Sequence, residues 1–255
     1  MTETSKTVTN ALAVMECFHR ESAALSSSEI ARKIGIPRTN ALRLLATLQG
    51  RGWLERTEDG ACYRVGLRAF EIGANYLTAK SGTAALRTVL NDLVTNTECT
   101  AYAGTLDRDD VVMTHCIEGT LPVRFIWKIG DRLPCTTTAI GKAILSHLSD
   151  SDIEKHLRPG PLRTLTHKSI KSRKALQEEL KQARKVGWAL AREESHAGLT
   201  AVGAAVFSGG KPVLGVSVCW FDHPPDRKRL ERYAQSVVQA ADRISRAIGF
   251  RRQHS

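Results

Sequence analysis

From Ile30 to Leu54 the chain carries five basic residues (Arg32, Lys33, Arg38, Arg43 and Arg51) and no carboxylate. The same stretch is periodic. In "GIPRTNALRLLATLQGRG" Ala41, Leu44, Leu45 and Leu48 share one stripe at 100° per residue, and Thr39, Arg43, Ala46, Thr47 and Gly50 fall opposite. An ordinary surface helix mixes Glu with Lys. A helix whose outer side is small, basic and free of acid suits close approach to a polyanion, where a carboxylate would be repelled.

The neighbouring residues predict three helices before residue 52. The first is expected after Thr9/Asn10 as N-cap candidates, with Ala11, Val14, Met15 and Phe18 on one face. The second opens on Ser26-Ser27-Ser28-Glu29, a capping box, buries Ile30, Ala31 and Ile34, and stops at Gly35. The third begins at Pro37, whose missing N–H would be unpaired at a first helical position anyway. A short helix, a glycine turn and a second amphipathic helix form a helix-turn-helix, with the second helix in the major groove. Trp53–Arg56 and Cys62–Val65 read as strands around a turn containing Asp59-Gly60. A hairpin in that place is the wing of a winged helix-turn-helix. Arg38, Thr39, Asn40, Arg43 and Thr47 are the candidate groove contacts, with Arg56 and Arg64 on the DNA backbone. The competing reading is a three-helix protein-interaction module with a solvated basic face.

Residues 66–80, "GLRAFEIGANYLTAK", space Leu67, Phe70, Ala74 and Leu77 as a further apolar stripe: a linker helix or dimer contact, or else a satellite helix on its own domain. From Ser81 the pattern changes. A helix with Leu86, Val89, Leu90 and Leu93 leads into β-rich segments "CTAYAGTL", "VVMTHCI" and "VRFIWKI". Helical "SDIEKHL", a basic stretch with little core character and the helix "SRKALQEELKQARKVG" follow. "AVGAAVFS" and "PVLGVSVCWF" flank Gly209-Gly210, a hairpin signal. A final helix from about Asp226 spaces Leu230, Tyr233, Val237, Ala241, Ile244 and Ile248. The expected fold class is α+β, with the second domain one antiparallel sheet with helices. The expected division is a winged domain at 1–65, a linker helix at 66–80 and an effector-binding, oligomerising domain at 81–255.

A net charge of +11 favours polyanionic partners, but residues 1–80 hold only +3 of it, so charge alone does not locate a DNA site. The start "MTETSKTVTN" lacks the apolar segment of a secretory leader, and no apolar run reaches the ~18 residues of a membrane helix. A cytoplasmic protein is expected. Six cysteines, at 17, 62, 99, 116, 135 and 219, form no C-x-x-C pair, which argues against a disulfide framework or zinc site. His115, His156, His167, His196 and His223 have no metal-ligand spacing, and no cofactor is expected.

"LPCTTTAIGKAIL" is the densest chemical signal. Thr136–Thr138 can cap a small-residue helix whose first amides offer an anion site, and Gly141 and Ala143 allow tight packing behind it. Lys142 reads as solvated or helix-pairing. Cys135 invites a nucleophile reading, but no His and acid can be placed beside it. Glu193-Glu194 can orient loop amides or form a solvated pair, and "KSIKSRK" reads as an exposed basic face that adds general attraction to DNA. Two alternatives to a regulator stay open: a Cys135-dependent enzyme, and a basic protein binding DNA without site preference.

Three ordered blocks make the chain similar to the IclR family of bacterial transcription regulators: "LSSSEIARKIGIPRTNALRLLATLQGRGWLE" with "YRVGLRAFEIG", then "GDRLPCTTTAIGKAIL", then "RKVGWALAREESHAGLTAVGAAVF" with "VLGVSVCW". The resemblance implies a winged helix-turn-helix, a linker helix making a homodimer, a GAF-like effector domain that pairs dimers into tetramers, and no enzymatic activity. It places an effector pocket at Phe125, Leu133 and Cys135, at Ala139 and Ile140 with their amides, at Leu199 and Ala201 on one strand, and at Ser217 and Cys219 on its hairpin partner. Ser217 and Cys219, two apart, also face one side of a strand on spacing alone. Position 191 is Ala where relatives can hold an acid, and Ala201 replaces a more polar or thiol side chain seen in some. These departures imply a more apolar pocket, suited to an organic acid larger than glyoxylate, an aromatic one included, with its carboxylate at the Ala139 and Ile140 amides. The implied role is control of a catabolic operon through double-stranded operator DNA.

Overall fold

The computed structural model describes residues 4–18, 22–79, 83–222 and 226–249. His223, the side chain of Leu77 and the junction at Lys80–Ser81 lie outside the described residues. The chain divides into two compact units, 1–80 and 81–255.

In the first unit, helices α1 (Lys6–Glu16), α2 (Ser27–Ile34) and α3 (Arg38–Gly50) enclose a core of Val14, Cys17, Leu25, Ile30, Leu45, Leu54 and Tyr63. Helix α1 starts a turn earlier than expected: Ser5 is its N-cap, Thr9 and Asn10 lie within it, and Phe18 lies beyond its end. The Thr9 hydroxyl is not capping there, because it donates to the Ser5 carbonyl one turn back. The capping box of α2 forms as the sequence implies. Ser26 N–H donates to Glu29 Oε2 at 2.8 Å and Glu29 N–H to Ser26 Oγ at 3.3 Å; the Ser26 hydroxyl, donating to the same Oε2 at 2.7 Å, and then the Ser26 N–H hold the Glu29 carboxyl below its ordinary range. Gly35 ends α2 at φ +69°, the left-handed conformation glycine adopts without strain. Pro37 is the N-cap of α3 rather than its first helical residue, since its ψ of 141° is extended. Strands β1 (Leu54–Arg56) and β2 (Tyr63–Val65) form the hairpin, Arg56 opposite Tyr63. Helix α4 (Leu67–Ala79) follows, with Leu67 and Phe70 exposed.

The second unit is a six-stranded antiparallel sheet in the order β5-β4-β3-β8-β7-β6. Its strands are β3 (Thr100–Asp107), β4 (Asp110–Ile117), β5 (Arg132–Pro134), β6 (Ala189–Arg192), β7 (Leu199–Ser208) and β8 (Lys211–Phe221). Helices α5 (Thr83–Thr97) and α9 (Arg227–Gly249) cover one face through Leu86, Leu90, Val237 and Ile244. Helices α6 (Ala139–Leu145), α7 (Asp150–His156) and α8 (Arg173–Val186) pack on the other. Cover on both faces explains why β7 and β8 carry near-continuous apolar runs rather than alternation. Gly209 and Gly210, both at positive φ, make the tight β7–β8 turn. Helix α6 lies directly on β7: a Cβ at Gly203 would stand 2.8 Å from the Ala139 carbonyl carbon.

Two readings of this unit are corrected. "VRFIWKI" is not a strand, despite its β-branched and aromatic residues. The Tyr102 hydroxyl captures its backbone, donating to the Phe125 carbonyl at 2.8 Å and accepting from Trp127 N–H at 3.1 Å, so the segment crosses the fold as an irregular strap. The basic stretch before α8 does have core character. Ile170 is buried and Leu162 partly buried with the α7 and α8 side chains, Ser169 donates to the Glu194 carbonyl, and Arg158 and Arg163 bind the buried Asp109 and Asp110 at the β3–β4 turn. Strands β5 and β6 are short pieces that the sequence pattern did not single out.

Candidate DNA-reading helix and effector cavity

Helix α3 sits on its unit through buried Ala41 and Leu45 and half-buried Leu44 and Leu48. That seating leaves Arg38, Thr39, Asn40, Arg43 and Thr47 together on the exposed side. The arrangement is the one a reading helix requires: a rigid rod anchored from behind, with guanidinium, amide and hydroxyl donors outward. Thr47 donates to its own helix at the Arg43 carbonyl, 2.9 Å away, so its oxygen is left to accept. The wing arginines are engaged within the hairpin. Arg56 donates to the Gly60 carbonyl and the Tyr63 hydroxyl and lies over the Tyr63 ring, and Arg64 pairs with Glu55 at 2.8 Å. Arg64 and Glu55 are both half exposed, a geometry worth little in water and easily exchanged for a phosphate.

In the second unit a small cavity of about 30 Å³ lies between the sheet and the start of α6. It is lined by Tyr102 and Met113 from β3 and β4, Ala191 from β6, Leu199 and Ala201 from β7, and Ser217 and Cys219 from β8. Thr138, Ala139 and Ile140 close one side, and Trp127 and Ser195 come from loops. Six of the nine expected pocket residues therefore meet here: Ala139, Ile140, Leu199, Ala201, Ser217 and Cys219. Leu133 and Cys135 do not line it, although both are buried in the same hydrophobic cluster as Tyr102, Met113 and Ile140. Phe125 packs at a tilt against Trp127 and His196, at centroid distances of 4.7 and 4.6 Å. Tyr102, Met113, Trp127, Thr138 and Ser195 are wall residues that the sequence reading did not assign to the pocket, and Ala191, expected to make it more apolar, lies in the wall as well.

The cavity carries no charged side chain. Thr138 caps α6 by accepting from Gly141 N–H at 3.0 Å, which leaves the Ala139 and Ile140 amides, the first two of the helix, without a partner inside it. Ser217 is 95 % buried and belongs to the cavity wall, where its hydroxyl is the kind of group that can donate to or accept from an occupant. Burial pushes the Cys219 thiol up to about 12 and raises the Tyr102 phenol, so both face the cavity as neutral groups.

Lys142, expected to be solvated or helix-pairing, is buried instead. Its position on α6 between the sheet and α8 buries the side chain, with the two acids between its ammonium and the surface. It reaches Glu194 at 2.6 Å and Glu179 at 2.7 Å, with Lys142 1 % exposed, Glu194 7 % and Glu179 49 %. Burial raises the Glu194 carboxyl, with Lys142 acting in the opposite direction. Glu193 does orient loop amides: its Oε2 accepts from Gly198 N–H at 3.1 Å. Cys135 is fully buried, and burial followed by the nearby Asp109 and Asp110 carboxylates pushes its thiol up to about 12. A nucleophile needs the opposite, an accessible thiolate, so the structure speaks against the Cys135 enzyme. Among the described residues no group of three or more His, Cys, Asp or Glu is placed to hold a metal ion, and no helix is long and apolar enough to cross a membrane.

A model of the IclR helix-turn-helix domain matches residues 7–58, and a model of the C-terminal domain of the bacterial transcriptional regulator IclR matches residues 74–246. The chain belongs to the IclR family of bacterial transcriptional regulators. It is 28% identical over 246 residues to the HTH-type transcriptional regulator XynR of Escherichia coli K12, covering 96% of this chain and 98% of that one. To the transcriptional repressor IclR of the same strain it is 26% identical over 247 residues, covering 96% and 90%. An IclR regulator from Alicyclobacillus acidocaldarius shares the fold at a TM-score of 0.86 and 23% identity, over 97% of this chain and 100% of that one. An IclR homologue from Microbacterium hydrocarbonoxydans, solved with 4-hydroxybenzoate, does so at 0.83 and 21%, over 95% and 99%. As an IclR-family member the protein is a helix-turn-helix transcriptional regulator with an effector-binding domain.

Proposed function

We propose that this IclR-type regulator controls a catabolic operon in response to a small organic acid, an aromatic carboxylate being the best fit. The observation that carries the reading is the composition of the cavity: apolar walls from Met113, Ile140, Leu199 and Trp127, the Ser217 hydroxyl, and no charged side chain. Such a site selects a ligand with an apolar body whose acid group is met by N–H and O–H donors, here the Ala139 and Ile140 amides. A more distant structural neighbour solved with 4-hydroxybenzoate supports the class. Residues 1–65 serve as the winged DNA-binding domain, with Arg38, Thr39, Asn40, Arg43 and Thr47 in the major groove and Arg56 and Arg64 on phosphates. Residues 66–80 link and dimerise through Leu67 and Phe70. Residues 81–255 bind the effector and pair dimers into tetramers, in the cytoplasm and without enzymatic activity. Effector binding changes DNA affinity only by its differential affinity for the two arrangements of the dimer.

A thermal-shift screen of organic acids tests this reading. A ligand at 100 times its Kd stabilises the native state by about 2.7 kcal/mol, a shift of a few degrees for a domain of this size. Benzoate and 4-hydroxybenzoate should raise Tm in wild type, and less in Ser217→Ala. Acids without effect beside a neutral compound that stabilises the protein would overturn the acid class.

A further inference from the structure

The cavity is much smaller than the 300–1,000 Å³ typical of ligand sites, so a ligand the size of benzoate needs a wall to give way. Most of the walls belong to strands and to α6. Trp127 and Ser195 belong to loops. The strap from Glu118 to Asp131 is fastened at both ends: Gly119 donates to Thr100 Oγ1, Thr120 and Leu121 to the Glu98 carbonyl, and Gly130 to the Met113 carbonyl. Between Pro122 and Trp127, among the described residues, its hydrogen bonds to the rest of the domain all go to one atom, the Tyr102 hydroxyl. That phenol also lines the cavity. The outer seam between strap and loop 193–198 is the ring contact of Phe125 with His196.

We propose that the middle of the strap is the door of the effector cavity, that Tyr102 is its latch, and that the Phe125–His196 seam is where it parts. Opening breaks the two hydrogen bonds at the Tyr102 hydroxyl and swings Trp127 out of the wall. A ligand whose polar group reaches that hydroxyl takes over as its partner and holds the strap released. Tyr102 is thus a positioning residue that reads the occupant. This inference rests on the reading of the cavity as the effector site, but its test requires no effector.

Cys219 reports on the door from inside. Its thiol lies in the cavity wall and is held neutral by burial, so it reacts only from an opened state. The probe is methyl methanethiosulfonate on the full-length protein: the Cys219 thiolate attacks the sulfenyl sulfur, methanesulfinate leaves, and peptide mass spectrometry reads the mixed disulfide. Cys99 is the internal control, buried on the α5/α9 side of the same sheet. Tyr102→Phe, which loses both hydrogen bonds, and Phe125→Ala, which loses the seam but leaves Tyr102 beside Cys219, should each speed labelling of Cys219 by roughly tenfold or more. Cys99 should keep its wild-type rate, and the Trp127 amide should exchange faster with deuterium in Tyr102→Phe. An unchanged Cys219 rate in both variants places the door elsewhere, and Cys99 accelerating in step shows general loosening; either overturns the proposal. Acids that fail to bind while Cys219 still accelerates would remove only the effector reading, and acids that bind with Cys219 unmoved would remove only the latch.

Discussion

Replacing Lys142 by Met removes a cation from a place where two carboxylates were built around it. Met keeps the length and apolar stem of the side chain, so packing against β7 and α8 is largely retained and the charge is the main loss. Glu194 is then a carboxylate 93 % buried, its Oε2 already without a partner among the described residues and its Oε1 holding only the Arg192 N–H at 3.3 Å. Stranding one member of a buried pair in this way costs about 3–5 kcal/mol. Glu179, 49 % exposed, is rehydrated at little cost, and its share is below about 1 kcal/mol. The double variant Lys142→Met/Glu194→Gln removes the stranded charge and should regain about 2 kcal/mol or more of the single-variant loss. Glu179→Gln should regain almost nothing.

Urea unfolding in a Trp53→Phe background, followed through Trp127, Trp188 and Trp220, all in the second unit, gives the free energies, with the m-value checked for constancy. The pH dependence fixes the cause. Without its lysine, Glu194 is pushed further above the ordinary carboxylate value by burial, so the folded variant binds a proton more readily than the unfolded chain. Stability of the single variant then rises as pH falls through that raised value, and its deficit against wild type is largest above it and shrinks as pH falls towards the ordinary carboxylate range. A Lys142→Met deficit below about 1 kcal/mol, or one that does not vary with pH, would refute the assignment of Lys142 and Glu194 as a buried, mutually neutralising pair.

Two further outcomes concern the first unit. Arg43→Ala should weaken binding to the operator by about 1–3 kcal/mol in a titration, with little change on random duplex; equal losses on both would make Arg43 a phosphate contact only. Phe70→Glu, at a side chain 70 % exposed on α4, should leave folding intact and shift sedimentation from tetramer to a dimer held by the second units at micromolar concentration; an unchanged tetramer would remove α4 from the interface.

What could be read from the sequence was local chemistry. A serine and a glutamate three apart cap α2 by their own side chains, Gly35 and Gly209-Gly210 take the conformations only glycine takes cheaply, and alternation puts Ser217 and Cys219 on one face of β8. Each depends on residues within a turn or a strand of one another, so spacing carries the information. The second unit's decisive contacts join distant residues. Lys142 meets acids 37 and 52 positions away, and the Tyr102 hydroxyl meets a strap 23 to 25 positions on. Nothing in a window around Lys142 distinguishes a buried lysine from a solvated one, because the difference is made by α8 and loop 193–198 arriving on top of it. The strap shows the same physics from the other side. "VRFIWKI" has the composition of a strand, and propensity favours one. β5 covers β4 only along Asp110–Val112, so the sheet does offer an edge, but the buried phenol of Tyr102 requires a partner wherever the sheet places it. The strap backbone is what lies within reach, so the demand of one tyrosine for a hydrogen bond outweighs the preference of seven residues for a ladder, and the cavity gains a wall that is not part of the sheet.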